Sequence, residues 1–211
     1  MTSSAKPYHH GNLRSALIEA GLAALEKTDS ADISLRALAR DVGVSANAAY
    51  RHFEDKDALL AALAAEGFRR FAALQVQATQ GEADRQTTRR ASGRAYVDFA
   101  RTHPALFRLM FGHVLHAKAD PDLKTSALMA FHGLLEAAAK DAGTASNDPR
   151  ALLTAIMRWS LVHGLSHLML DGQLDYFSAD VNQLIDDVLG LPLQPGAAPE
   201  AAQASDNKAS G

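Results

Sequence analysis

Residues 34–53 read SLRALARDVGVSANAAYRHF, and this stretch decides how the chain is interpreted. Leu38 and Ala39 lie on the apolar side of a short helical pattern, and Gly43 follows it, where glycine commonly ends a helix by adopting a positive φ. Ser45 can then cap a second helix only two residues later. Because a small Ala39 lets two helices cross closely, the spacing predicts a helix-turn-helix, with an ordinary corner between helices as the alternative.

Helical patterns continue on both sides of this stretch. Alanine, the best helix former, fills 42 of the 211 positions. The sequence predicts an all-α fold, in which an N-terminal three-helix domain is joined by a long helix to a C-terminal helical domain for ligand binding and dimerisation. We expect helices at about 11–27, 91–102, 104–111, 122–141 and 149–171, and we expect the helix capped by Ser45 to reach roughly to His52. Asp55 is expected to cap the long helix and Ser178 the last one.

The chain divides into three parts by composition and pattern. Residues 8–56 form the predicted helix-turn-helix domain, and residues 57–190 form the predicted effector-binding and dimerisation domain. Residues 191–211 are rich in Pro, Ala, Gln, Ser and Gly. Such a segment cannot bury enough apolar surface to fold, so we expect a disordered tail.

Composition excludes several classes of protein. The chain has no cysteine, so disulfides and thiolate metal sites are impossible. It has 21 basic and 24 acidic residues, so it is not one of the generally basic proteins that cover nucleic acid. The sequence shows no secretory signal and no apolar run long enough to cross a membrane, which predicts a cytoplasmic protein. No HExxH, GxSxG, P-loop or GxGxxG pattern occurs, and we predict neither an enzyme nor a cofactor.

The third helix, which follows Gly43, offers two polar side chains for reading DNA. If Ala49 and Phe53 face inward, then Asn47 and Arg51, also four residues apart, face outward. Asn can bond to both N6 and N7 of adenine, and Arg to both O6 and N7 of guanine. The alternative interpretation is a solvated surface pair.

Other residues can fix the register on the phosphate backbone, although residues 1–60 hold 7 basic and 8 acidic side chains, so any basic face is local. A cation at Lys56 opposes the dipole at the start of the long helix, which predicts compensation by a phosphate or by nearby acidic residues. Small side chains let the backbone approach a base. The predicted contributors beside Asn47 and Arg51 are Ser34, Arg36, Ser45, Ala46, His52 and Lys56.

Two segments, YHHGNLRSALIEAGLAALEK (8–27) and SLRALARDVGVSANAAYRHFEDKDALLAAL (34–63), resemble the TetR family of transcriptional regulators. In the C-terminal half, YVDFARTHPALFRLMF and RWSLVHGLSHLMLDG are similar to the regulatory domain of a subgroup with a Trp-His-Gly signature, which appears here as Trp159, His163 and Gly164. The resemblance implies a homodimeric repressor that leaves operator DNA when a small molecule binds. It also implies that the Tyr50 hydroxyl contacts phosphate.

The C-terminal half combines a candidate pocket with a candidate dimer face. Residues 152–170 are apolar on more than one side, so this helix needs two partners, and we expect a second subunit to cover Gly164 together with Val181, Ile185 and Val188. Residues 104–112 are expected to couple the pocket to the long helix. The predicted effector pocket gathers adaptable apolar groups with a few polar ones: Tyr96, Phe99, His103, Phe107, Met110, Phe111, Phe131, Trp159 and His163.

Two histidine pairs, His113 with His116 and His163 with His167, have spacings that zinc sites use, but neither has a carboxylate at a typical spacing, so we predict no metal site. The sequence favours a dimeric, ligand-responsive regulator that binds double-stranded operator DNA. The alternative is a helical protein that binds small molecules without binding DNA.

Overall fold

The computed structural model describes residues 13–82, 84–112 and 120–191. Within these ranges the regular structure is helical, with nine α-helices, two short 3₁₀ helices and no β-strand, which confirms the predicted all-α fold. The predicted tail beyond residue 191 and residues 8–12 of the first domain lie outside the described residues. The helices are α1 Leu13–Leu25, α2 Leu35–Asp41, α3 Ala46–Tyr50, α4 Lys56–Ala78, α5 Arg85–Thr102, α6 Pro104–Phe111, α7 Pro121–Ala142, α8 Pro149–Leu170 and α9 Val181–Gly190.

Local side-chain chemistry starts the helices of the N-terminal region. In each case the cap side chain accepts a hydrogen bond from a backbone N–H three residues further on, which satisfies a donor that the helix itself leaves unpaired. Gly43, between α2 and α3, has φ +79°, as the prediction required. The confirmed caps are Ser34 from Ala37 (3.5 Å), Ser45 from Ala48 (3.2 Å) and Asp55 from Ala58 (2.8 Å).

Three predicted helix boundaries are wrong. Helix α3 ends at Tyr50 rather than near His52, because the N–H groups of His52 and Phe53 both bond to the carbonyl of Ala49 and tighten the last turn. Helix α5 begins at Arg85 rather than residue 91, because Asp84 accepts hydrogen bonds from the N–H groups of Gln86 and Thr87.

The third error concerns the last helix. Asp180, not Ser178, caps α9, and its carboxylate accepts a hydrogen bond from the N–H of Gln183 at 2.9 Å. The Ser178 hydroxyl instead donates to the carbonyl of Asp180 and accepts from its N–H. Ser178 therefore shapes the turn before the helix.

Helix α4 packs against both halves of the chain. Leu17 of α1 and Ala49 of α3 are buried with Leu59 and Leu63 in the first half of α4. The second half of α4 buries Phe71 in the same cluster of apolar side chains as residues of α5, α6 and α7. Because one core runs along this helix, a displacement of the C-terminal helices has a direct mechanical route to the N-terminal ones.

Gly67 marks a close approach between α4 and α6. A Cβ at this position would lie 2.7 Å from the Sδ of Met110 and 3.0 Å from Cδ1 of Leu106. Gly133, in an exposed part of α7, has nothing within 4 Å of the same Cβ position. The two glycines therefore differ in packing but share a helical backbone.

We expect Gly133→Ala to stabilise the protein by roughly 0.5–1 kcal/mol, since alanine is the better helix former. Gly67→Ala gains the same propensity but overfills the contact, so its free energy of unfolding should fall below that of Gly133→Ala by about 1–3 kcal/mol. Urea unfolding of the two variants measures this difference. Equal stabilities would contradict the close approach.

Candidate DNA-binding surface and effector site

Helix α3 is held from beneath and leaves one side free. Ala49 is fully buried and Phe53 is 3% exposed, whereas Asn47 and Arg51 are exposed. Tyr50 lies beside them with 41% of its surface exposed. The predicted inward and outward faces of this helix therefore coincide with its buried and exposed sides.

The remaining predicted contributors lie at the starts of α2, α3 and α4 or just after the end of α3. Ser34 and Ser45 use their hydroxyl oxygens to cap α2 and α3, so their hydroxyl hydrogens are left to donate to an external acceptor such as phosphate. Burial divides the predicted residues into two groups: Ser34, Arg36, Ser45 and His52 are exposed, and Ala46 and Lys56 are half-buried.

The structure gives Lys56 a partner that the sequence did not indicate. Its Nζ donates a hydrogen bond to the backbone carbonyl of Ala31, in the 3₁₀ helix Ser30–Asp32. This contact ties the start of α4 to the segment that precedes α2. An ammonium has three N–H donors, so two remain for an anion.

Two acidic side chains, Glu19 on α1 and Glu26 just after it, are paired with groups later in the chain. Glu19 bonds to Arg70 of α4 at 2.5 Å, and Glu26 bonds to Nδ1 of His103, between α5 and α6, at 2.7 Å. These carboxylates are therefore engaged within the protein, and Arg51 faces solvent without them. A local basic face can exist although the N-terminal region as a whole is slightly acidic.

Aromatic rings from α4, α5, α6, α7 and α8 gather around Tyr96. The Tyr96 ring lies 5.1 Å from Phe71, 5.9 Å from Phe107 and 6.2 Å from Phe111, measured between ring centroids. These separations are typical of favourable aromatic pairs. We call this group the ring cluster, and its members are Phe71, Tyr96, Phe107, Phe111, Phe131, Trp159, His163 and His167.

Sequence reasoning found most of the ring cluster but not all of it. It missed Phe71 and His167, although His167 lies one turn after His163 on the same helix and its ring is 4.7 Å away. Two predicted pocket residues lie elsewhere: Met110 is fully buried beneath α4, and His103 faces α1. Phe99 touches the cluster through the ring of Phe71 at 5.3 Å.

A chain of hydrogen bonds runs through the ring cluster. The indole N–H of Trp159 donates to the hydroxyl oxygen of Tyr96 at 3.2 Å, and that oxygen lies 2.9 Å from Nδ1 of His163. Burial raises the pKa of the Tyr96 hydroxyl well above its ordinary value. Burial, and then the charge of neighbouring His167, lowers the pKa of His163. Both side chains are therefore neutral at pH 7.

The lowered pKa of His163 makes stability depend on pH. Below about pH 6.5 the unfolded chain binds a proton at this position more readily than the folded one, so the free energy of unfolding falls as the pH drops. We expect His163→Phe to lose less stability than the parent between pH 7 and pH 5. Chemical unfolding at several pH values tests this, with the exposed His132→Phe as the control. Identical pH profiles for the parent and His163→Phe would contradict it.

Ring contacts connect the cluster to α1. Phe71 touches both Tyr96 and Phe99, Phe99 lies 5.2 Å from the ring of His103, and His103 bonds to Glu26. Packed side chains of this kind can transmit a displacement from one site to another. The hydrogen bond between His103 and Glu26, at the end of this series of contacts, joins the N-terminal helices to the junction of α5 and α6.

An apolar groove opens between α8 and α9. Leu168 and Phe177 are 41% and 79% exposed, and Gly164 leaves space in the floor of the groove. Ile185, predicted for the dimer face, is instead only 1% exposed and packs in a second core with Val97, because α9 packs this side against α5. The groove is lined by Ser160, Leu161, Gly164, Leu165, Leu168, Leu174, Phe177, Leu184 and Val188.

Across residues 13–82, 84–112 and 120–191 no group of three or more His, Cys, Asp or Glu side chains is placed to hold a metal ion. The pair His113 and His116 lies outside the described residues. None of the described helices combines the length and the apolar character needed to cross a bilayer.

Comparison with known proteins agrees with this arrangement. Residues 17–63 match the model described as "Bacterial regulatory proteins, tetR family", and residues 89–191 match "Tetracyclin repressor-like, C-terminal domain". The chain belongs to the TetR family. The N-terminal TetR model covers α1 from Leu17 through α3 to the first turns of α4, which is the part that presents Asn47 and Arg51.

Solved structures share the TetR fold over most of the chain. A protein with unknown function from Rhodococcus sp. RHA1 is 32% identical, with a TM-score of 0.71, covering 88% of this chain and 97% of that one. A TetR variant from Acinetobacter baumannii AYE in complex with minocycline is 18% identical (TM-score 0.57, 87% and 93% covered). The fatty acid degradation regulator FadR from Bacillus halodurans is 15% identical (TM-score 0.57, 86% and 95% covered).

Proposed function

We propose that this chain is a homodimeric repressor that binds a palindromic operator through α3 and releases it when a small molecule occupies the ring cluster. The observation that carries the proposal is the exposed pair Asn47 and Arg51 on a helix anchored by Ala49 and Phe53. A fixed helix with two bidentate side chains on its free side is suited to the major groove. The regulator is proposed to act in the cytoplasm.

Contacts to phosphate position the reading helix. In this proposal Ser34, Ser45 and Tyr50 donate hydroxyl hydrogens to phosphates, and Arg36 and Lys56 supply positive charge. Ala46 lets the helix backbone approach a base, and His52 adds a donor at the end of the helix. Because few cations take part, the operator affinity should depend modestly on salt concentration.

A second copy of the chain covers the groove between α8 and α9 in this proposal. The groove is apolar and exposed, and Gly164 permits a close approach of two helices. A two-fold axis there would pair two α3 helices, which a palindromic operator requires about 34–36 Å apart. Val181 and Val188 remain candidates for this face.

The effector is proposed to act through α6. This helix contributes Phe107 and Phe111 to the ring cluster and packs closely against Gly67 of α4. A ligand that displaces α6 would therefore shift α4 and the spacing of the two reading helices. Trp159, His163 and Gly164 suggest that the chain belongs to the subgroup with a Trp-His-Gly signature.

Selection of bound DNA from random duplexes tests the proposal. The expected result is enrichment of a palindrome whose half-sites lie about one helical turn apart. Enrichment without palindromy would contradict the dimer. No enrichment at low salt would contradict DNA binding and favour a helical protein that binds small molecules only.

A further inference from the structure

The ring cluster holds no acidic or basic side chain other than its two histidines. The ionised residues that flank it on α6 and α8 are paired with other residues: Arg108 lies 3.4 Å from Asp171, and Arg158 lies 2.8 Å from Asp141. These residues therefore offer no unpaired charge to a ligand that enters the cluster. A charged ligand would lose its hydration there without compensation.

One side of the ring cluster is open. Phe111, Phe131, Trp159, His163 and His167 are half-buried, whereas Tyr96 and Phe107 behind them are buried. Trp159, His163 and His167 lie on one stripe of α8, which is not the stripe that lines the groove beside α9. A flat apolar molecule can therefore reach the rings while the groove is covered.

The hydrogen-bond chain fixes where protons lie. The indole N–H of Trp159 donates to the Tyr96 oxygen, and among the described residues Nδ1 of His163 is the acceptor within reach of the buried Tyr96 hydroxyl hydrogen. We therefore assign Tyr96 as the donor to Nδ1, because this assignment leaves no buried donor unpaired. Neutral His163 then carries its proton on Nε2. No described residue accepts a hydrogen bond from that Nε2–H, so the half-buried side chain ends in a directed donor.

We propose that the ring cluster binds an uncharged aromatic compound that carries a hydrogen-bond acceptor such as a carbonyl oxygen, with Nε2 of His163 as the donor to that oxygen. This inference rests on the proposed function, because it specifies the effector class of the same site. The rings supply stacking partners, and the histidine supplies orientation. Carboxylates and ammonium compounds are disfavoured because the charged residues described beside the cluster, Arg108 and Arg158, are already paired with aspartates.

Four probes with the same ring test the proposal: acetophenone, ethylbenzene, benzoate and benzylammonium. Trp159 is the only tryptophan of the chain, so its indole N–H gives a single NMR signal that reports on the ring cluster. Titration of the full chain should show acetophenone binding about three- to tenfold more tightly than ethylbenzene, the value of one hydrogen bond. Benzoate and benzylammonium should bind at least about tenfold more weakly than acetophenone.

Two variants assign the donor. His163→Phe keeps a ring but removes the N–H, so acetophenone affinity should fall to the ethylbenzene value while ethylbenzene affinity stays within about twofold. His163→Gln restores an N–H donor and should recover part of the preference. If either variant fails to fold, the four affinities of the parent chain still decide the class of ligand.

Several results would overturn the proposal. These are tighter binding of benzoate or benzylammonium, an unchanged acetophenone preference in His163→Phe, or no movement of the indole signal with any probe. DNA retention, measured on the same preparation, is independent of these results. Loss of DNA retention contradicts the proposed regulator, whereas retention without probe binding contradicts only the inference about the ligand.

Discussion

Replacing Asn47 and Arg51 together with alanine should abolish specific operator binding and leave the fold and the dimer intact. Both side chains are exposed, and no hydrogen bond or ion pair among the described residues joins either of them to another helix, so their removal opens no cavity. Each bidentate contact to a base is worth about 1–3 kcal/mol, and a dimer would lose two such pairs. We expect at least roughly a hundredfold loss of affinity for the selected operator, with weak non-specific binding retained.

The chain offers a matched control for this experiment. Asn147, just before α8, and Arg150, in its first turn, are exposed residues of the same two types and are distant from α3 in sequence. The double alanine variant of this pair removes the same charge and should bind the operator as the parent does. Fluorescence anisotropy with labelled operator measures both. Parental affinity in the Asn47→Ala, Arg51→Ala variant would contradict the assigned reading face.

Placing a carboxylate in the groove between α8 and α9 should separate the proposed dimer. Leu168 lies in that groove, and an aspartate there would be buried without a partner when two copies meet. We expect Leu168→Asp to be a folded monomer. A dimer binds both half-sites of the operator at once, whereas a monomer binds each half-site separately, so operator affinity should fall by roughly 10²–10⁴-fold.

Leu128 provides the control for the dimer experiment. It is a 57% exposed leucine on α7 that does not line the groove. Leu128→Asp should remain dimeric and bind DNA normally. Light scattering coupled to gel filtration gives the mass of each variant. A dimeric Leu168→Asp would place the subunit contact elsewhere, and a monomeric Leu128→Asp would show that the effect is not specific to the groove.

The beginnings and ends of most helices could be predicted because the interactions that set them are local. Ser34, Ser45 and Asp55 reach N–H groups three residues away, and Gly43 needs only its own backbone freedom. The start of α5 was missed because its first turn is polar and lacks apolar periodicity. The spacing of Asp84 and Thr87 was the available clue.

Contacts between distant residues could not be predicted in the same way. Lys56 meets the carbonyl of Ala31, and a cation in the first turn of a helix gives no indication of which acceptor will compensate it. The sequence placed Tyr96, Trp159 and His163 in one pocket by type and by resemblance. It did not indicate that they form a hydrogen-bond chain, because Tyr96 is more than 60 residues from both of its partners.

The sequence by itself determined the helical class, the helix-turn-helix and the outward side of α3, because caps, apolar periodicity and a glycine turn act over a few residues. Only the tertiary structure decided how α9 rotates to bury Ile185, how His103 leaves the pocket to bond to Glu26, and which rings meet around Tyr96. These outcomes depend on how whole helices pack. Any apolar partner can bury an apolar side chain, and only the fit of shapes between packed helices determines which partner it has.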